Sequence, residues 1–336
     1  MSLKILSSLN SPPLVAATGC AVIIGLPFFD AATTASTLSL ATLKVMNVAA
    51  FATNVLAVSI PGRIDGQQNA DMRNGTLNPY KPNSPGVTGE ESTPLSPSPS
   101  STYNEIYSPT RSRTLVSPSG WAFAIWGPIY IGEAIFVAGQ FLATTSSTSF
   151  ATALPQLTAP FVTANILQSL WCASFRPSYN LGWKKYVSVG MLAGTAYSLS
   201  HVQAVAVGLG NSALGWYLLP LSLHFGWTTA ATLVNLNGSV AMNSSNSDSR
   251  VIAVGHSSAV VATVLGIGIT LVNAVPAYGL TIAWALAGCA DGMKKRIAAM
   301  ENQGDDNILK RAAAVQNKLC WAGSAACILA SISAAL

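Results

Sequence analysis

An all-α integral membrane protein is the fold class this sequence predicts, and three observations carry the prediction. Half of its 336 residues are apolar and only 9% are charged, where a water-soluble domain carries about 25% charged residues. The apolar residues gather into stretches long enough, or nearly so, to cross a bilayer as helices. These fall at about 13–29, 37–60, 119–142, 154–175, 186–209, 213–235, 251–274, 277–293 and 319–336, which implies about eight to nine spans. Third, the charges between them fall on alternate connections. Residues 61–118, 176–185 (Arg176, Lys184, Lys185), 236–250 and 294–318 (Lys294, Lys295, Arg296, Lys310, Arg311, Lys318) would share one face, while 143–153, 210–212 and 275–276 carry no charge. The positive-inside rule makes the charged face cytoplasmic, or its stromal or matrix equivalent. The net charge of +5 therefore bears on topology and excludes nucleic acid as the expected partner.

Taken in order, residues 1–36 read as an N-terminal signal peptide or a signal-anchor segment. Lys4, the run LVAATGCAVIIGLPFF and the small residues Ala31, Ala32 and Ala35 fit either. Residues 37–61 form a further transmembrane helix, with Lys44 close enough to its start to snorkel. Residues 62–118 form a Ser/Pro-rich loop without apolar period, expected to be disordered, with Ser-Pro and Thr-Pro steps open to phosphorylation. Core helices follow over 119–236, and three additional C-terminal spans over 251–336. Cys20, Cys172, Cys289, Cys320 and Cys327 lie in or beside apolar runs with no CxxC or metal-ligand spacing. They read as small buried hydrophobes. No nucleotide-binding, zinc-protease or nucleophile-elbow motif is present.

Three helices carry faces with chemistry. Over 119–142, Phe123, Trp126, Tyr130, Glu133, Val137 and Gln140 follow the i, i+3, i+4 pattern. A carboxylate at bilayer depth costs about 2.5–3.5 kcal/mol on insertion scales, so Glu133 is expected to face a bundle interior or a partner. Over 154–175, Phe161, Asn165, Gln168, Trp171 and Phe175 share one stripe. Over 213–235, Trp216, Pro220, His224, Trp227, Ala231 and Asn235 share another, and Pro220 is expected to kink that helix. Plainer roles compete with these. Trp121, Trp183, Trp216 and Trp321 suit an interfacial belt, Asn165 and Gln168 suit helix–helix hydrogen bonding, and His224 suits a satisfied interior histidine.

With these residues in place, the chain resembles the translocator-protein family of tryptophan-rich sensory proteins (TspO/MBR), in a longer branch with extra transmembrane helices. Gln168, Trp171, Phe175 and the Gly182-Trp183 pair look like the family's third helix and its following turn, where the amide is usually Asn. Trp227, Ala231 and Asn235 have the spacing of its fifth helix, although Ala230 stands where the family has Phe. Pro118 to Trp121 looks like its entrance motif, Gly127-Pro128 with Tyr130 like the motif that follows, and Asn54-Val-Leu-Ala like the turn of the longer branch.

The resemblance implies a TspO-like five-helix transmembrane core binding, and transporting or sensing, a flat hydrophobic ligand such as a tetrapyrrole, pigment or sterol. The expected ligand-binding residues are Trp126, Tyr130, Glu133, Gln168, Trp171, Phe175, His224, Trp227, Ala231 and Asn235. No catalytic residue, metal or resident cofactor is expected; porphyrin enters as a ligand, with its acids near Arg176, Lys184 and Lys185. Expected partners are the bilayer and the small hydrophobic ligand, with a homodimer as an option. The rival reading is a proton-coupled secondary transporter using Glu133 and the intramembrane His201 and His224. A tetrapyrrole-degrading enzyme finds no nucleophile–base pair in the sequence. The compartment stays open between an endomembrane and a plastid, and Asn74, Asn237 and Asn243 head N-x-S/T sequons on the face assigned as cytoplasmic.

Overall fold

A computed structural model describes residues 11–34, 38–59, 113–142, 149–174, 179, 182–209, 215–243, 245–302 and 308–336. Nearly all of the Ser/Pro-rich loop, with Asn74, and also Phe175 and Arg176, lie outside these. Among the described residues there are nine α-helices, one for each apolar stretch of the sequence. They are α1 (Pro12–Thr34), α2 (Leu40–Ser59), α3 (Trp126–Leu142), α4 (Ser149–Ala173), α5 (Val187–Gly208), α6 (Leu218–Ala241), α7 (Asp248–Asn273), α8 (Pro276–Asn302) and α9 (Ile308–Ala335). The chain is an all-α integral membrane protein. Five segments, α1, α2, the Gly120–Leu142 stretch, α7 and α9, are long and apolar enough to cross a membrane by length and composition. The remaining helices, α4, α5, α6 and α8, fall short of that measure. A helix whose polar residues face other helices does not need an apolar circumference.

Five helices close into a ring. α2 packs on α4, α4 on α5, α5 on α6, α6 on α3, and α3 back on α2. Four of them come from 119–236; the fifth is α2, which the sequence presents as an addition ahead of the core. α1 lies outside the ring against α4 and α5. The last three helices pack on one another as a separate layer and meet the ring chiefly through α6, with α7 and α8 both against it. Small residues permit this close packing. A Cβ at Gly266 of α7 would come within 3.0 Å of Ile282, and Gly323 of α9 faces Thr263 and Leu286. The turn from α7 to α8 is short because Ala274 takes a left-handed φ of 51°. Val275 then donates to the Thr270 carbonyl and Pro276 opens α8.

Segments with charged connections meet at one end of the molecule. Arg113 pairs with Asp248 at 2.7 Å and donates to the Asn246 carbonyl, and Arg296 donates to the Thr114 carbonyl. That agrees with the common face that loop charge assigns to residues 61–118, 236–250 and 294–318.

Several sequence expectations are corrected. The first turns of the 119–142 stretch form a 3₁₀ helix, Gly120–Ile125, and α3 begins only at Trp126. Trp216 precedes α6 in a 3₁₀ turn and is 87% exposed, so it leaves the His224 stripe. Pro220 is the third residue of α6, where the missing N–H has no helical acceptor to lose, so it gives no mid-helix break. Prolines inside a helix occur instead in α1, at Pro27, and in α4, at Pro155 and Pro160. Cys20 is exposed on α1, whereas the other four cysteines are buried, and all five are free thiols. Asn237 is 1% exposed and donates to Ser258, so its sequon is not available for glycan in this fold.

Candidate functional site: an aromatic cluster beside a buried Glu–His pair

The ring interior is built from the stripes of α3, α4 and α6. Because α3 runs antiparallel to α4 and α6, its residues meet theirs in reverse order, and a close approach at Gly132 against Pro220 brings α3 and α6 together. One turn from that contact, Glu133 Oε1 lies 2.6 Å from His224 Nδ1, and both side chains have no exposed surface. Glu133 Oε2 and His224 Nε2 are buried without hydrogen-bond partners. An unsatisfied buried polar atom costs about 1–3 kcal/mol, so this pair is expensive to maintain for packing alone.

Four aromatic rings gather beside the pair, with Trp126 at their centre. Trp126 stacks on Tyr130 with centroids 5.4 Å apart and planes at 26°. It also stands 6.4 Å from Trp171 of α4, 6.1 Å from Trp227 of α6, and edge-on to His224 at 5.8 Å. Phe123, from the 3₁₀ segment, packs edge-on to Trp227 at 5.6 Å. The amides orient the cluster. Gln168 Nε2 donates to Tyr130 Oη at 2.8 Å, and Trp171 Nε1 reaches Asn235 Oδ1 at 3.5 Å. Asn235 in turn donates to the Ala231 carbonyl at 2.9 Å.

Nine of the ten residues expected from the sequence thus belong to one connected set; Phe175 lies outside the described residues. Other expectations separate. His201 packs edge-on to Tyr197, which is 50% exposed, and takes no part in the Glu133–His224 pair. His256 bonds Gln316 in the C-terminal layer at 2.7 Å. Lys185 is buried near the end of α6, where its carbonyl accepts from Ser239, and burial holds its ammonium below the ordinary lysine pKa.

Sequence reasoning missed the contribution of α2. Asn47 donates to Gln140 and to Thr158, each at 3.1 Å, and Asn54 donates to Asn165 at 3.0 Å. All five side chains are buried. The available signal was spacing: two amides seven residues apart lie on one helix face. A line of polar side chains therefore continues from Asn235 and Gln168, past the Glu133–His224 pair, down to Gln140 and Thr158.

The entrance segment is held by α8, which was also not foreseen. Ser119 N donates to the Gly288 carbonyl and Trp284 Nε1 to the Ala122 carbonyl, at 3.0 and 2.8 Å. Trp121 Nε1 donates to Asp291 at 3.0 Å, and Lys295 bridges Asp291 and Ser119 at 2.7 and 3.1 Å. A cavity of about 290 Å³, lined by Ile125, Pro128, Leu223, Leu280 and Trp284 among others, sits at this seam. It contains none of the residues expected to bind ligand.

Comparison with known proteins bears on the same helices. A family model described as TSPO-like protein matches residues 95–301, more than half of the chain, and takes in α3 through α8. The chain belongs to the TSPO-like family. No curated protein and no solved structure matches it.

Proposed function

We propose that this membrane protein binds a flat hydrophobic ligand, of the tetrapyrrole, pigment or sterol class, inside the five-helix ring, for transport or sensing. The observation that carries the reading is the meeting of Trp126, Tyr130, Trp171 and Trp227 beside the buried Glu133–His224 pair. Each aromatic pair contributes about 0.5–1.5 kcal/mol beyond its buried area. A flat ligand that takes the place of one ring keeps those contacts while adding its own burial. Ala231, one turn beyond Trp227, leaves room for it, and Gln168 and Asn235 lie where its few polar groups would be met. Acid groups would have to sit at the charged face, near Lys184 and Lys185.

The test is a titration of the detergent-solubilised protein with protoporphyrin, followed by tryptophan quenching, beside Trp171→Phe and Trp227→Phe. Saturable binding on the order of micromolar, weakened several-fold by each change, supports the pocket. Quenching that never saturates and ignores both changes sinks it.

A proton-coupled transporter is the second reading, favoured by one observation: a carboxylate and an imidazole paired at full burial within a line of polar side chains. Glu133→Gln separates the two readings. It abolishes proton-coupled uptake into proteoliposomes if the pair carries protons, and only weakens ligand binding if it does not.

A further inference from the structure

The seam between the entrance segment and α8 is closed by protein at one end and open at the other. Toward the charged face, Ser119 N donates to the Gly288 carbonyl and Trp284 Nε1 to the Ala122 carbonyl, so the two segments touch. Beyond Ala122 they part. The cavity of about 290 Å³ lies there, with Ala124, Ile125 and Pro128 on one side and Leu280, Thr281 and Trp284 of α8 on the other. Leu223 of α6 completes the lining, and Gly226 of the same helix packs against Thr281. Ile125 and Thr281, at 7% and 1% exposed, form the floor; Leu280 and Trp284, at 48% and 40%, form the mouth. The Gly120–Leu142 stretch beside it is long and apolar enough to span a membrane, so exposed apolar side chains at this mouth face lipid, and the cavity opens sideways into the bilayer.

Chemistry, size and depth define the occupant. Both polar side-chain groups on the walls are already engaged: Thr281 Oγ1 donates to the Ala277 carbonyl at 2.7 Å and Trp284 Nε1 to the Ala122 carbonyl at 2.8 Å. A polar occupant would bury its own groups unpaired, whereas a hydrocarbon loses nothing. The volume holds on the order of ten methylene-sized groups, each taking about 30 Å³. Trp284 lies about 16 Å along α8 from Lys295, at roughly 1.5 Å per residue, which sets the cavity within the hydrocarbon on the charged side. Left empty, it would deprive its lining of the dispersion contacts that hold helices together in lipid. We infer that this cavity is a binding site for one acyl chain of a bilayer lipid from the charged-face leaflet, wedged between α3, α6 and α8. The site includes none of the residues of the aromatic pocket and does not depend on that reading.

The test places the full-length protein in phosphatidylcholine vesicles that carry a small fraction of the same lipid with a photoactivatable diazirine in one acyl chain, followed by peptide mapping of the adducts. Labelling of Ile125 and Thr281 is expected beside that of the outward Ile131 and Phe141, because a chain in the surrounding bilayer does not reach the floor. Leu223→Phe and Ala124→Leu fill the cavity from different walls. Each should cut floor labelling several-fold and leave Ile131 and Phe141 labelled as before. Adducts confined to outward residues overturn the inference, as do floor adducts that both filling variants leave intact. Floor labelling by a free diazirine fatty acid but not by the phospholipid also overturns it, since the occupant would then not be a bilayer lipid.

Discussion

The five-helix ring and the three-helix layer behind it solve the same packing problem in opposite ways. The layer closes around small residues, with Gly266, Gly279 and Gly323 each against a side chain of a neighbouring helix. Its main buried amide, Gln316, is satisfied by His256, the Gly255 carbonyl and Cys320. The ring buries larger and more polar groups and leaves several unpaired, among them Glu133 Oε2, His224 Nε2, Asn47 Oδ1, Asn54 Oδ1 and both polar atoms of Gln203. In a bilayer, helices gain nothing from burying apolar surface against each other, so small-residue contact and hydrogen bonds decide association. The layer relies chiefly on those means, although it too leaves a buried oxygen, Thr270 Oγ1, without a hydrogen bond. The ring sets them aside at its centre, which is where a ligand or a proton would be handled.

Breaking the ring at its pair should have the largest effect. Glu133→Ala or His224→Ala alone leaves a buried partner uncompensated and should cost about 3–5 kcal/mol, read as a large drop in melting temperature in detergent. The double variant Glu133→Leu/His224→Leu should melt well above either single one. If the singles melt like the unmodified protein, the pair is not buried as described.

A smaller effect is expected where the layer grips the entrance segment. A methyl at Gly292 of α8 would press on the Ser117 carbonyl, a backbone atom that cannot rotate away. Gly292→Ala should therefore cost about 1–3 kcal/mol and loosen Phe123 over Trp227, visible as a change in tryptophan emission. Gly268→Ala, at a position with nothing within 4 Å, is the matched control and should melt unchanged.

The smallest effect belongs to the exposed contacts of that grip. Lys295 is 64% exposed on its side chain, and Lys295→Ala should leave the melting temperature within error, because solvent and salt screen such pairs. A clear loss on this change would mean that α8 holds the entrance by charge and not by backbone contacts and close packing.

Most of the fold was legible in the sequence because its signals are local. Length and hydropathy marked the helices, alternating loop charge marked one face, and the period of α3, α4 and α6 placed nearly all of the site residues on inward faces. The misreadings were also local in origin. Hydropathy does not distinguish a 3₁₀ turn from an α-helix, so Gly120–Ile125 and Gly215–Tyr217 were merged into their neighbours. The expected kink at Pro220 failed for the same reason, since a proline's effect depends on its distance from a helix start that hydropathy blurs.

What the sequence determined by itself is the class of protein, the inward faces and the residue types that line them. Tertiary structure decided who meets whom. That Glu133 finds His224 and not His201, that α2 closes the ring through Asn47 and Asn54, and that α8 clamps the entrance at Ser119 and Ala122 are all consequences of helix order around the ring. Helical period fixes the direction in which a side chain points, but not which of several equally apolar neighbours lies in that direction. In a membrane, where every helix offers the same hydrophobic surface, that choice falls to small residues and a few buried polar pairs, and these act only once the helices are assembled.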